Sequence, residues 1–312
     1  MKILCHIHTL DDADVIDAAI ASVLAQRHPV DGIVLVDNAS TDSTLDREFP
    51  SLLTVIRHSV NTGTCGSVHT GFRFAIENGY DWIWVLDADS RPAPDALEKL
   101  IELYESLPAK TQDEVGSIAS RIIRGPTQRA DDYGLLTSRG PKAAPIEPGA
   151  MYYECDSGIW SGTLFKLAAV QHVDPPRYGP RGPWDDLALD WGDIEYFWRM
   201  RLAGYRCLVH RHSYIRHALG WQRTMMLGGR LVISTNHSVF RRYLYFRNGV
   251  YFWRYLFQPG RRLAITRYML LHMASQIVKI TLLEDQRVAK IHAILRGAWD
   301  GFRGRVDRRA FV

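Results

Sequence analysis

The sequence has no run of about 18 uncharged apolar residues, the length a helix needs to span a bilayer. Its nearest approach, Ile265 to Leu283, is interrupted by Arg267, His272, Gln276 and Lys279, which suits an interfacial helix better than a spanning one. A secretory leader is not expected, because Met1-Lys2 runs straight into a strand-like segment with no small-residue cleavage site. Cysteine is scarce: Cys5, Cys65, Cys155 and Cys207 are far apart and have no zinc-ligand spacing. Cys5 falls in an apolar run and Cys65 in a Gly-rich turn, so the thiols are expected to be reduced in a cytoplasmic protein. The G-x-G-x-x-G dinucleotide fingerprint is absent, as are internal repeats and low-complexity tracts. These absences exclude a membrane-spanning chain, a disulfide scaffold, a zinc module and a solenoid.

What is present suffices for a full hydrophobic core. The 312 residues are 46% hydrophobic, enough for one large domain or two modest ones. The net charge of +4 is mild but uneven. From Arg241 onward fifteen Arg and Lys residues, ending at Arg308 and Arg309, face only Glu284, Asp285, Asp300 and Asp307. A basic, aromatic tail of this kind is expected to meet something anionic, such as a membrane surface, or to cover the rest of the protein as amphipathic helices.

The N-terminal third alternates strand and helix signals. Ile3–Ile7, Gly32–Asp37 (GIVLVD), Leu53–Arg57 and Asp81–Leu86 (DWIWVL) read as strands. Ala13–Gln26, Val68–Asn78 and Pro94–Ser106 read as helices between and after them. That alternation predicts a parallel α/β sheet, with ligands beyond the carboxyl ends of the strands, where Thr9, Asp37 and Asp87 would sit. Gly125–Tyr152 reads as a long loop, and Pro175–Pro183 as a break in regular structure. A helix over about Asp193–Ala203, stopped by Gly204, and a strand at Arg206–His210 follow; after Ser238 the chain reads as helical.

Several short motifs carry chemistry. Asp87-Ala88-Asp89 follows a buried-type strand, and two carboxylates one residue apart can reach one hard cation such as Mg²⁺ or Mn²⁺. A solvated turn or helix cap would look the same. Asp37-Asn38 reads as a contact to a nucleotide base or ribose, or as an Asx-turn. Asn61, Gly63 and Gly66 open a helix, where backbone N–H groups favour phosphate, or simply form a turn. Asp193 and Glu195, in the first turn of their helix, are dipole partners or, for Asp193, a general base. His217, beyond His210 and His212, is a surface residue or a third metal ligand.

In order and spacing these motifs resemble the family 2 glycosyltransferases of the GT-A fold. The matching segments are VDNASTDST at Val36–Thr44, NTGTCGSVHTG at Asn61–Gly71, WVLDAD at Trp84–Asp89, WSGTLFK at Trp160–Lys166, DWGDIEYFWRMRLAGY at Asp190–Tyr205 and YLYFRN at Tyr243–Asn248. Within that family the pattern looks most like bacterial rhamnosyl- and galactofuranosyltransferases. The resemblance implies a GT-A nucleotide-diphospho-sugar transferase fold: a Rossmann-like, mixed, mostly parallel sheet with a helical basic C-terminal extension. It implies donor contacts from Thr9, Asp37, Asn38, Asn61, Gly63, Gly66, Asp87 and Gly162. It further implies metal ligation by Asp87, Asp89 and His217, which lies 24 residues after Asp193, and base catalysis by Asp193 beside Glu195. The first strand departs from the family pattern, ending His8-Thr9-Leu10-Asp11, and Asp193-Ile194-Glu195 stands where adjacent Glu-Asp is usual.

The function this implies is inverting, metal-dependent transfer of a sugar, rhamnose or galactofuranose favoured, from a dTDP- or UDP-linked donor. The acceptor would be a glycan or lipid-linked carbohydrate in cell-surface polysaccharide synthesis. Residues 1–240 would form the catalytic domain, 1–120 its donor half and 150–240 its acceptor half, with 241–312 the basic helical region. The protein would be cytoplasmic, or peripheral on the inner membrane face through an anionic lipid surface. No nucleic-acid module is recognisable. A sugar-nucleotide nucleotidyltransferase is the alternative enzyme class, but the acidic His8-Thr9-Leu10-Asp11-Asp12 stands where it needs a basic, Gly-rich loop. A non-catalytic glycan-binding scaffold would be expected to lose the carboxylates this chain keeps.

Overall fold

The computed structural model describes residues 1–124, 129–131, 133–173, 187–217, 223–257 and 262–306. The expected break at Pro175–Pro183 and the basic residues Arg261, Arg308 and Arg309 lie outside them.

In chain order the elements are β1 (Ile3–Thr9), α1 (Ile16–Leu24), β2 (Gly32–Asp37), β3 (Leu53–Arg57), α2 (Gly63–Glu77), β4 (Trp82–Asp87), β5 (Ser90–Pro92) and α3 (Ala96–Ser106). Next come α4 (Ala109–Glu114), β6 (Val115–Arg124), β7 (Arg129–Asp131), β8 (Gly134–Thr137), β9 (Gly140–Ala143), β10 (Tyr152–Glu154), β11 (Thr163–Lys166), α5 (Leu167–His172) and α6 (Gly192–Leu202). The chain closes with β12 (Arg206–His217), β13 (Arg223–Leu227), β14 (Arg230–Ser234), α7 (Val239–Tyr251), α8 (Arg262–Leu283) and α9 (Arg287–Phe302), with a π-helical turn at Phe252–Leu256 after α7.

One mixed sheet runs β10-β12-β6-β11-β4-β1-β2-β3, with β5 added to β12 and β7 to β6. The β3-β2-β1-β4 half is entirely parallel, and β11 joins it to β6 and β12 by antiparallel pairing on both its sides. Ile3, Leu4, Cys5 and Ile7 of β1 and Ile33 to Val36 of β2 are buried, as is Trp82 to Leu86 of β4. Unbroken apolar strands are what a parallel sheet covered on both faces requires. α3 shows how a helix meets that sheet: Ala96, Leu97, Leu100, Ile101 and Leu103 are buried at helical spacing, leaving the other face to solvent.

The predicted strands of the N-terminal third are all present, Gly32–Asp37 and Leu53–Arg57 with the expected bounds. Three readings need correction. Gly125–Tyr152 is not simply a loop: it holds β7, β8 and β9, short pieces whose polar, Gly- and Pro-bearing sequence hides them. The strand at Arg206 continues to His217, and α2 begins at Gly63 rather than Val68.

The chain divides into two compact units, residues 1–135, 143–188 and 192–218, and residues 136–142, 189–191 and 219–312. The first contains the sheet. The second contains α7, α8 and α9 with the β13–β14 hairpin, packed on Phe246, Ile280 and Ile294. It also buries charge: Glu284 bonds Arg242 and Ser234, and Lys290 Nζ lies 3.0 Å from Glu284 Oε2. Among the described residues no helix is long and apolar enough to cross a membrane.

Candidate active site

The parallel half of the sheet grows from β1 to β2 and β3, then returns to β4 on the other side of β1. The carboxyl ends of β1 and β4 therefore flank a topological switch point, the usual ligand crevice of open α/β sheets. Register sets His8 of β1 beside Asp87 of β4 there, and His8 Nδ1 lies 3.2 Å from Asp87 Oδ1.

His217 comes to the same place by a different route. β5 pairs antiparallel with the end of β12, Ser90 opposite His217 and Pro92 opposite Ile215. The imidazole then stands between the two aspartates, Nδ1 at 2.9 Å from Asp89 Oδ1 and Nε2 at 3.4 Å from Asp87 Oδ2. Ser90 and Ser161 back the cluster: their hydroxyls are 2.6 Å apart, and Ser161 Oγ accepts the Asp87 N–H at 3.2 Å. Arg91 braces the Asp87–Ser90 turn, donating to the carbonyls of Ala88 at 3.0 Å and Ser90 at 2.8 Å, and to Val15 O at 2.7 Å. Burial lowers the Arg91 pKa, with Asp89 opposing the shift.

One ligand atom each from Asp87, Asp89 and His217 lies within 4.8 Å of the others. Asp87 Oδ1 is buried and, among the described residues, has only the His8 Nδ1 contact at 3.2 Å and no well-formed hydrogen bond, which is costly for a carboxylate oxygen unless a cation faces it. Two carboxylates and an imidazole form a hard-to-borderline donor set that fits Mg²⁺ or Mn²⁺. The residues present thus fit a divalent cation.

The predicted donor residues line the neighbouring strand ends. Thr9 is buried and its hydroxyl donates to Asp12 Oδ2 at 2.9 Å. Burial raises the Asp12 pKa, against the hydrogen bonds of Leu10 and Thr9. Asp37 is fully buried, accepting the Ser40 N–H at 3.2 Å and facing Arg57 Nε at 3.4 Å. Asn38 Nδ2 donates to Gly63 O at 3.2 Å, and its Oδ1 accepts from Thr62 Oγ1 at 2.9 Å. Asn61 Oδ1 accepts the Gly63 N–H at 2.8 Å, and Gly66 is buried in the first turn of α2. Gly162 has φ +84, and a Cβ there would meet Ile215 Cδ1 at 2.5 Å, so its conformation and its neighbour both call for glycine.

α6 is fixed by aromatic packing. Tyr196 and Phe197 are fully buried, each with its ring about 5.8 Å from that of Phe165, burial worth roughly 1.5–3 kcal/mol per ring. The starts of α2 and α6 touch: a Cβ on Gly192 would lie 2.0 Å from Cys65 Sγ. Asp193 and Glu195 then differ sharply. Asp193 is half-buried at the helix start, its Oδ1 accepting the Ile194 N–H at 2.8 Å. Glu195 faces the interior, 3% exposed, and receives Arg199 Nη2 at 2.8 Å. Burial raises the Glu195 pKa, with Arg199 opposing.

Residues 5–123 match the family model described as glycosyl transferase family 2. These residues are a family 2 glycosyltransferase domain. The galactofuranosyltransferase GlfT1 of Mycolicibacterium smegmatis is 24% identical over 266 residues, covering 80% of this chain and 81% of that protein. Among solved structures, S. aureus TarS 1-349 in complex with UDP-GlcNAc superposes with a TM-score of 0.60 at 14% identity, covering all of this chain and 84% of that one. The mannosyltransferase PcManGT of Pyrobaculum calidifontis, in complex with GDP-Man and Mn²⁺, gives 0.55 at 15% identity, covering 95% and 73%. These structural likenesses establish the GT-A fold around the family 2 domain.

Sequence reasoning missed His8, Ser90, Ser161 and Arg91. Only the departure of His8 from the family's first-strand pattern could have drawn attention to it. The serines and Arg91 act through cross-strand neighbours that linear spacing does not reveal.

Proposed function

We propose that this protein is an inverting, metal-dependent glycosyltransferase using a nucleotide-diphosphate sugar. The observation that carries the reading is the meeting of Asp87, Asp89 and His217 at the switch point of the family 2 domain. Galactofuranose or rhamnose on dTDP or UDP is favoured as donor, from the motif resemblance and from the relative named a galactofuranosyltransferase. The acceptor is a glycan or lipid-linked carbohydrate of the cell surface, met by a protein that is cytoplasmic or peripheral on the inner membrane face. Residues 1–120 serve the donor and 150–240 the acceptor, with 241–312 a basic helical region.

Asp87, Asp89 and His217 would hold Mg²⁺ or Mn²⁺, which when bound offsets charge on the departing diphosphate. Thr9, Asp37 and Asn38 shape the nucleoside edge. Asn61, Gly63 and Gly66 offer the start of α2 to phosphate, and Gly162 keeps the backbone of that rim close. Asp193, the more exposed acid of α6, takes the acceptor hydroxyl proton as the new glycosidic C–O bond forms. The bond from the anomeric carbon to the diphosphate breaks on the opposite face, inverting that carbon. Glu195 supports that helix through Arg199.

The test is release of nucleoside diphosphate from UDP-, dTDP- and GDP-sugars with Mn²⁺ or Mg²⁺, with and without EDTA. One donor should be turned over in a metal-dependent manner. Asp193→Asn should cut acceptor-dependent transfer by about 10²–10⁴ while donor affinity is kept. Equal loss of donor binding would remove Asp193 as the base, and failure of every donor to bind would overturn the glycosyltransferase reading.

A further inference from the structure

The outer face of α9 carries an apolar stripe that stays largely exposed among the described residues. Val288 is 83% exposed, Leu295 51%, Trp299 58% and Phe302 48%. At about 100° per residue these four point within roughly 60° of one another, along about 21 Å of helix. The opposite face holds the buried Lys290, Ala293, Ile294, Gly297 and Gly301, so α9 is already anchored by its other side.

The stripe is flanked by positive charge. Arg296 and Arg303 are exposed along one of its edges. The Arg254 guanidinium sits 4.0 Å from the centre of the Phe302 ring, and that of Arg303 is 5.6 Å from Trp299. The two rings are stacked with centroids 6.1 Å apart. The neighbouring acids leave most of that charge available. Asp285 pairs with Lys290 at 2.9 Å and Arg223 at 3.2 Å. Asp300 accepts from Tyr243 OH at 3.0 Å and reaches Arg296 Nε only at 3.9 Å, with the Arg296 side chain 70% exposed. Beside the stripe lies an apolar cavity of about 190 Å³, lined by Phe246, Trp253, Met269, Met273 and Phe302 with Arg254. An apolar cavity of about 150 Å³ already admits a benzene-sized guest.

We propose that this face docks on an anionic lipid monolayer. Val288, Leu295, Trp299 and Phe302 enter the acyl boundary, and Arg254, Arg296 and Arg303 meet lipid phosphates. The cavity beside Phe302 takes the end of one hydrocarbon chain. Exposed aromatic rings with arginines at their level match the headgroup boundary of a bilayer. A symmetric pairing of two copies through the same stripe would instead set Arg296 and Arg303 against their equivalents, which is unfavourable. The inference deepens the peripheral membrane location named with the sugar-transfer reading, and does not depend on the chemistry of that reading.

Flotation of the full chain with vesicles tests it, comparing phosphatidylcholine alone with an equal mixture of phosphatidylcholine and phosphatidylglycerol. The chain should float with the mixed vesicles, weakly or not at all with the neutral ones, and less at high salt. Arg296→Gln with Arg303→Gln should weaken partitioning by roughly fivefold per arginine. Trp299→Ser with Phe302→Ser should weaken it at least about tenfold. Nucleotide-sugar binding should be the same in all variants, so failure here is distinguishable from failure of the glycosyltransferase reading. If the aromatic pair proves to be needed for folding, Val288→Asn with Leu295→Asn makes the same test nearer the helix start. Flotation indifferent to phosphatidylglycerol or to every substitution would overturn the proposal. So would a dimer that Trp299→Ser dissociates, without vesicle binding by either form.

Discussion

Asp87 stands between two histidines, and each relation has its own consequence. His217 bridges Asp87 and Asp89, whereas His8 meets Asp87 Oδ1 through Nδ1 at 3.2 Å and Thr64 Oγ1 through Nε2 at 3.4 Å. His8 is thus suited to orient the carboxylate rather than to bind metal itself. His8→Ala should lower Mn²⁺ affinity by about 10–100-fold, the range for groups that orient metal ligands, without changing the thermal midpoint. Mn²⁺ titration followed by isothermal calorimetry measures this, and unchanged affinity would leave His8 a structural residue. Asp193 and Glu195 make a second contrast. Glu195→Gln strands the buried Arg199 without its partner and should cost about 3–5 kcal/mol of stability, so any loss of transfer would accompany a fall in melting temperature. Asp193→Asn should lose transfer with its melting temperature intact. Melting curves run beside activity assays separate the two. The aspartate pair was legible in sequence because its members stand either side of a single residue just after an apolar strand. His217 was one of two readings from the residues until the family resemblance favoured it as a ligand, while the nearness of His8 to Asp87 depends on strand register, which a single sequence does not encode locally.

Elements explain why His217 arrives at all. β12 was legible only as far as His210, because Arg211-His212-Ser213 looks like the start of a loop. The strand continues because its irregularity is satisfied from within: His210 Nδ1 accepts the N–H groups of His212 and Ser213, both at 3.0 Å. Pairing with β6 shifts register between His210 and Tyr214 and then resumes through His217. A bulge of this kind re-aims the side chains beyond it, here toward the strand ends that carry Asp87. Gly162 lies under that segment, next to Ile215. Gly162→Ala should therefore destabilise the protein by about 1–3 kcal/mol through its positive φ, and loosen Mn²⁺ binding by displacing Ile215 and with it His217. Adding Ile215→Val should restore part of the metal affinity but little of the stability. Urea unfolding and Mn²⁺ titration on both variants would check this, and a stable Gly162→Ala with normal affinity would contradict it.

At the scale of the molecule, alternation of apolar strands and amphipathic helices made the parallel half of the sheet legible, and with it the ligand edge. The exchange of short segments between the two units was not legible, since residues 136–142 and 189–191 belong with the helical unit while their chain neighbours belong with the sheet. Such membership is decided by long-range packing rather than by local composition. The sheet unit also buries two histidines in a way that governs its response to acid. His6 is fully buried beside Ser67, and burial is the main cause that lowers its pKa to about 3. His210 is lowered to about 4, burial first and His212 next, and its Nδ1 is already committed as an acceptor. Both stay neutral in the folded protein at pH values where an unfolded chain, with histidine near 6.5, takes up protons. The unfolded state thus binds more protons between about pH 6.5 and 4, so stability is complete above that window and falls as pH falls through it. Each histidine should contribute a slope of about 1.4 kcal/mol per pH unit, or about 2 kcal/mol between pH 6.5 and 5. His210→Asn keeps a side-chain acceptor for the two N–H groups but cannot titrate. Urea unfolding at several pH values should show this variant with a slope smaller by one proton than the parent. Parallel profiles for the two proteins would mean that His210 is protonated in the fold, and that its two hydrogen bonds are arranged differently.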